Sequence, residues 1–181
     1  MKVEHSAIAD VLLLEPKVFS DARGFFLENY NKRAFRQATG LEVEFVQDNH
    51  SRSSKNVLRG LHYQLHQPQG KLVRATAGEI WDVAVDLRRG SKSFGRWTAA
   101  TLSAESRRML WVPAGFAHGF LVLSEHAEVQ YKTTDYYAPE HERTLLWNDP
   151  ALAISWPLAG EPVLADKDRR GTPLASAETF E

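Results

Sequence analysis

Residues 80–87, Ile80-Trp81-Asp82-Val83-Ala84-Val85-Asp86-Leu87, decide the fold class. Trp81, Val83, Val85 and Leu87 fall on one side of an extended chain, with Asp82 and Asp86 on the other. This is the period-two alternation of a half-buried strand. The pattern recurs in both directions. Lys71, Val73 and Ala75 share a face upstream; downstream, Ala127, Val129 and Tyr131 share one opposite Glu128, Gln130 and Lys132. Between such runs the chain is punctuated by Gly60, Gly70, Gly78, Gly90, Gly95, Pro113, Gly115 and Gly119. Short strands broken about every ten residues predict a sandwich or small barrel rather than a parallel βαβ sheet. Helix is expected in only two places. Residues 31–39 open on an N-cap asparagine and stop at Gly40, and residues 103–109 are long enough for one turn or two. From Trp156 onward, prolines, glycines and charges predict a loop-rich segment. It is either a free tail or a strap folded back across the barrel.

The 181 residues correspond to one domain spanning residues 1–181. With 43% hydrophobic and 25% charged residues the composition is that of a soluble globular protein, which excludes disordered, collagenous and fibrous chains. Lys plus Arg number 22 and Asp plus Glu 23, a net charge of −1. A whole-surface basic field for nucleic acid is therefore not expected, while a local basic pocket stays open. The absence of cysteine removes disulfides, thiolate nucleophiles and Cys-ligated metals. Near the N-terminus Glu4, His5 and Asp10 stand where a secretory signal needs a basic start and a long apolar run. The apolar run there, residues 11–14, is far short of the ~20 residues that span a bilayer. A cytoplasmic protein without a membrane partner is expected, and the Asn49-His50-Ser51 sequon is read as chance.

No phosphate-binding GxxxxGK[ST] loop, GxGxxG, GxSxG elbow or HExxH is present, so any chemistry must come from scattered groups gathered by the fold. His62, in Arg59-Gly60-Leu61-His62-Tyr63-Gln64, is one such group: a histidine suits general-base work, and a nearby cation such as Lys71 suits an anionic ligand or a developing enolate. An ordinary core or surface histidine is the competing reading. Simple alternation places Arg59 and His62 on opposite faces, so a shared site requires a bulge at Gly60. Pro113-Ala114-Gly115-Phe116-Ala117-His118 resembles the second half of the cupin metal-binding pattern. The first half is missing. His62 and His66 are four apart, about 13 Å along a strand and too far for one ion. The sequence thus looks like a cupin barrel without its metal site, and His66 finds no role.

Longer stretches carry a closer resemblance. RGLHYQ (59–64), QGKLVRATAGEIWDVAVDLRRGSKSFG (69–95), WVPAGFAHGF (111–120), YKTTDYYAPEHE (131–142) and WNDP (147–150), with DARGFFLENYN (21–31) and VQDNHSRS (46–53), resemble the dTDP-4-dehydrorhamnose 3,5-epimerase family. The resemblance runs from Phe19 to Asp168. It implies a mainly β, cupin-type double-stranded β-helix (a jelly-roll barrel) with a few short helices. It further implies a homodimer, without metal or redox cofactor, that acts on a dTDP-linked 4-keto-6-deoxyhexose on the way to L-rhamnose.

Position by position, the resemblance makes His62 the general base, Asp168 the carboxylate orienting it, Tyr131 the acid on the opposite face and Lys71 the cation near the keto oxygen. It makes Arg23, Glu28, Gln47, Asn49, Arg59, His118, Glu142 and Lys167 the holders of the nucleotide sugar, and Tyr137 the ring that stacks on thymine, although spacing alone leaves Tyr136 equally eligible. The Asp168 assignment requires segment 157–181 to fold back over the barrel. His118 is also a candidate partner for Asp82. A mono-epimerase acting at C3 or C5 only, a metal-dependent cupin oxygenase and a non-catalytic sugar-binding jelly roll remain the alternatives.

Overall fold

The computed structural model describes all 181 residues. Its elements are β1 (Lys2–His5), β2 (Leu12–Glu15), β3 (Val18–Asp21), β4 (Gly24–Leu27), α1 (Lys32–Thr39), β5 (Gln47–Ser54), β6 (Leu58–Gln64), β7 (Lys71–Ala77), β8 (Glu79–Asp86), β9 (Trp97–Ser103), β10 (Met109–Val112), β11 (Phe116–Val122), β12 (His126–Thr133), β13 (Glu142–Thr144) and α2 (Asp166–Arg169). Two large antiparallel sheets, ordered β1-β2-β10-β7-β12-β5 and β13-β6-β11-β8-β9, form the body, and β3 and β4 make a separate hairpin. From β6 to β13 the chain passes repeatedly between the two large sheets, as a jelly roll does.

The core between the sheets joins Val73, Ala75, Leu110, Ala127 and Val129 from one to Ile80, Ala84, Phe116, Phe120 and Val122 from the other. Two of the expected half-buried strands, β7 and β8, are in fact covered on both sides, whereas β12 keeps the expected alternation, with Ala127 and Val129 buried and Gln130 exposed. In β8 the inward face carries Ile80, Asp82 and Ala84, with Asp82 wholly buried. Val83, Val85 and Leu87 point outward, into a second cluster with Leu61, Tyr63, Ala117, Leu145, Leu152 and Ala177, against which Trp81, Trp97, Trp156 and Phe180 pack. The face that alternation marked as polar is therefore the barrel interior, because the later chain supplies an apolar cover for the other one. The six-stranded sheet is covered likewise by Phe35 of α1, which lies edge-on to Phe45 and Trp111 and closes a cluster with Leu12, Leu14, Leu72 and Met109. Burying a phenylalanine in this way contributes about 2 kcal/mol.

Helix α1 has the predicted ends: the Asn31 side chain accepts from the Ala34 N–H, and Gly40 closes it with φ 74°. Residues 103–109 are not helical. Ser103 ends β9, its Oγ accepts from the Ser106 N–H at 3.0 Å, and Arg107 takes φ 55°, which turns the chain directly into β10. Short serine side chains compete for backbone groups and favour such a turn over a helix.

Segment 157–181 lies against the barrel. Val163 bridges Val57, Thr172 bridges Leu145 and Phe180 bridges Arg88. Tyr63 Oη donates to the Glu178 carbonyl at 2.6 Å, and Asp149 Oδ2 accepts from the Leu174 N–H at 2.6 Å.

Candidate active site

The site is built at a register shift. Strand β11 pairs with β6 through His118↔His62 and then Phe120↔Arg59, so β6 takes three steps where β11 takes two. The extra residue turns Arg59 and His62 toward one cavity despite their opposite parity. The two glycines at the shift permit it. A Cβ on Gly60, where φ is +124°, would sit 2.6 Å from Gly119 Cα, and a Cβ on Gly119 would sit 2.6 Å from the Arg59 carbonyl oxygen.

The cavity has a volume of about 340 Å³. The five-stranded sheet lines it with Arg59, His62, His118 and Glu142, and the six-stranded sheet with Gln47, Asn49, Lys71 and Tyr131. The loop after β12 adds Tyr137, and α2 adds Lys167 and Asp168. Ser51, Gln69, Phe120 and Ala165 also line it, although the sequence reading missed them. Ser51 follows Gln47 and Asn49 at period two on β5, and Phe120 follows His118 on β11, so parity from a candidate residue could have found both.

His62 Nε2 bonds Asp168 Oδ1 at 2.5 Å across 106 positions of sequence. The Asp168 side chain is 2% exposed and that of His62 22%. Burial pulls the His62 pKa below the ordinary imidazole value, while the hydrogen bond and charge of Asp168 pull it back up. Lys71 is buried, with no carboxylate within salt-bridge reach, and its Nζ donates only to the His62 carbonyl at 3.4 Å. Burial brings its pKa down to about 8, against the raising influence of the Asp82 and Glu142 charges. Tyr131 packs against the inter-sheet core, and burial pushes its hydroxyl pKa up. His118 Nε2 bonds both oxygens of Asp82 at 2.9 and 3.0 Å, so a wholly buried carboxylate backs this histidine of the cavity lining.

At the mouth, Lys167 Nζ meets Glu142 at 2.9 and 3.0 Å, and Arg59 Nε donates to Ser53 Oγ at 3.0 Å. The tyrosine pair left open by spacing is separated by placement. Tyr137 lines the cavity, its N–H donating to Gln47 Oε1 and its hydroxyl to Glu142, whereas Tyr136 is 61% exposed and lies outside.

Arg23 and Glu28 are not brought into this cavity. The β3–β4 hairpin pairs with neither large sheet, and its Phe25 ring packs under the Arg107 guanidinium of the turn between β9 and β10. Arg23, at its turn, bonds Asp21 at 2.6 Å, and Glu28 accepts from Asn31 at 3.3 Å. No group of three His, Cys, Asp or Glu side chains is arranged to hold a metal ion, and no helix is long and apolar enough to cross a membrane.

Two packed antiparallel sheets enclosing a polar cavity define a cupin-type β fold, and the chain is an isomerase of the carbohydrate epimerase class. The family model described as dTDP-4-dehydrorhamnose 3,5-epimerase matches residues 5–176, and the chain belongs to that family. It is 64% identical over 180 residues to the dTDP-4-dehydrorhamnose 3,5-epimerase of Pseudomonas aeruginosa, covering 99% of each chain. Its fold is similar (TM-score 0.96, 48% identity, 98% of this chain and 94% of the other) to the crystal structure of dTDP-6-deoxy-D-glucose-3,5-epimerase from Legionella pneumophila Philadelphia 1 in complex with dTDP-4-keto-L-rhamnose. It is also similar (TM-score 0.88, 36% identity, 95% and 88%) to ChmJ, a 3'-monoepimerase from Streptomyces bikiniensis in complex with dTDP-quinovose.

Proposed function

We propose that this protein inverts C3 and C5 of dTDP-4-dehydro-6-deoxy-D-glucose to give dTDP-4-dehydro-L-rhamnose, in dTDP-L-rhamnose biosynthesis. The observation that carries this reading is the His62–Asp168 pair and Tyr131 lining one cavity from opposing sheets, with Lys71 between the same walls. The C4 ketone acidifies the hydrogens on its neighbouring carbons. With Nε2–H donated to Asp168, His62 keeps its lone pair on Nδ1 and takes each proton in turn. Asp168 holds that tautomer and stabilises the imidazolium that forms. The electron pair moves onto the C4 oxygen as an enolate, which the buried Lys71 ammonium stabilises. Tyr131 then returns a proton to carbon from the other side, and inversion results; His62 gives its proton to solvent and Tyr131 takes one back before the second carbon reacts.

Arg59 and Lys167 take the diphosphate, Tyr137 stacks on thymine, and Gln47, Asn49, His118 and Glu142 hold the sugar and base. Arg23 and Glu28 lie outside this chain's own cavity, so their part in substrate binding requires a second copy. We therefore read the protein as a homodimer whose hairpins, with Phe25 59% and Phe26 70% exposed, reach across to the partner subunit's site.

The test is proton exchange in D2O with the 4-keto sugar, followed by NMR. Deuterium at both C3 and C5 with the L-rhamno product supports the double epimerase. The similarity to a 3'-monoepimerase keeps a single-carbon enzyme as the second reading, which label and inversion at one carbon would establish. Tight binding without exchange at either carbon refutes both.

A further inference from the structure

Four of the seven histidines have a ring nitrogen in a hydrogen bond: His5 with the Ala9 carbonyl, His50 with Glu128, His62 with Asp168 and His118 with Asp82. His66 and His141 do not, yet their rings meet edge to face, with centroids 4.9 Å apart and planes at 81°. They come from separate segments, the turn after β6 and the short 3-10 turn Pro139–His141. Those segments are locked together by backbone and buried side chain. The Leu65 N–H donates to the His141 carbonyl at 3.0 Å. The buried Gln64 amide donates to the Gln67 and Tyr136 carbonyls and accepts from the Ala138 N–H. Two imidazoles without a hydrogen-bond partner are thus carried side by side on segments that are fixed to one another.

That separation matches a chelate. With metal–nitrogen bonds of about 2.0–2.1 Å, two imidazoles side by side on one tetrahedral ion have ring centres about 5 Å apart. We propose that His66 and His141 form a two-histidine site for a late first-row divalent ion, of the Zn2+, Ni2+ or Cu2+ class that imidazole prefers. Water completes the coordination, since the neighbouring carboxylate, Glu178, is engaged by Arg143. The site sits on the rim of the active cavity, because Gln69 and Glu142, three and one residues away, line it. The inference is independent of the substrate proposed above.

The experiment uses tag-free, chelator-treated protein titrated with Ni2+ and Zn2+ by calorimetry at about pH 7.5. One ion per chain is expected. His66→Asn and His141→Asn should each weaken binding about 100-fold, the gain that a tethered second ligand provides, while His126→Asn leaves it unchanged. Absence of saturable binding, survival of binding in both variants, or loss in only one of them overturns the site. The native protein supplies an independent readout. In histidine side-chain 15N spectra, Zn2+ should move the His66 and His141 signals together, and movement elsewhere alone refutes the proposal.

Discussion

Replacing Asp168 by Asn changes one atom's chemistry at the centre of the proposed mechanism without changing its volume. Two losses follow. The Asp168 carboxylate is 2% exposed and bonded to His62 at 2.5 Å, so the charge-assisted bond that steadies the imidazolium belongs at the strong end of its class, about 3 kcal/mol. In addition, an Asn amide donating to Nε2 favours the tautomer with its proton on Nδ1, at about 1 kcal/mol for an ordinary hydrogen bond. Together these come to about 4 kcal/mol, or roughly a 10³-fold fall in kcat/KM. The pH dependence carries a sign as well. Asp168 raises the His62 pKa against the depression caused by burial, so its removal lets that pKa fall further. A base works in its neutral form, and the acid limb of the profile must therefore move to lower pH. The assay is kcat/KM for epimerisation across the acid range, with dTDP affinity and circular dichroism as controls for binding and fold. Turnover within tenfold of the parent, or an acid limb that moves upward in a folded variant, would refute the dyad.

Tyr131→Phe should separate the two half-reactions: His62 still exchanges substrate protons with solvent, while inversion falls by about 10²–10⁴, measured as deuterium uptake against product formation. The proposed mechanism uses Lys71 as a cation, and burial brings its pKa down to about 8, so the rate should fall as pH rises through that value. Lys71→Met should abolish this limb and lower the rate about 10²–10³-fold, with no loss of urea stability, since the side chain is buried without an ionic partner. Gly60→Ala forces a Cβ to within 2.6 Å of Gly119 Cα at a φ of +124°. Strain and overpacking there should remove about 2–4 kcal/mol of stability by urea unfolding and disturb Arg59 and His62 together.

The strands and α1 were legible because alternation and capping are local. The parity of Ala127, Val129 and Tyr131 correctly turned Tyr131 toward the core. Which face of β8 is interior was not legible. Trp81, Val83 and Val85 are more apolar than Asp82, but the decision rests on the chain that covers them, some sixty to a hundred residues later. Residues 103–109 misled because serine side chains close a turn as readily as a helix begins. Alternation showed that a bulge at Gly60 was needed, and resemblance supplied the cavity residues. Neither placed Arg23 and Glu28, because a hairpin's position outside the barrel leaves no mark on its own four-residue strands.

The Asp168–His62 bond closes a loop of 106 positions, and its carboxylate arrives on a four-residue helix near the end of the chain. A nascent polypeptide could therefore assemble every barrel strand, with Lys71 and Tyr131 in place, and still lack the carboxylate that orients the base of the proposed mechanism. Contacts of such long sequence separation form late. In refolding experiments catalytic competence should lag behind the recovery of β-sheet signal, so activity would report completion of folding rather than mere formation of the barrel. A protease that clipped the C-terminal strap would silence the molecule while leaving most of its sheets intact.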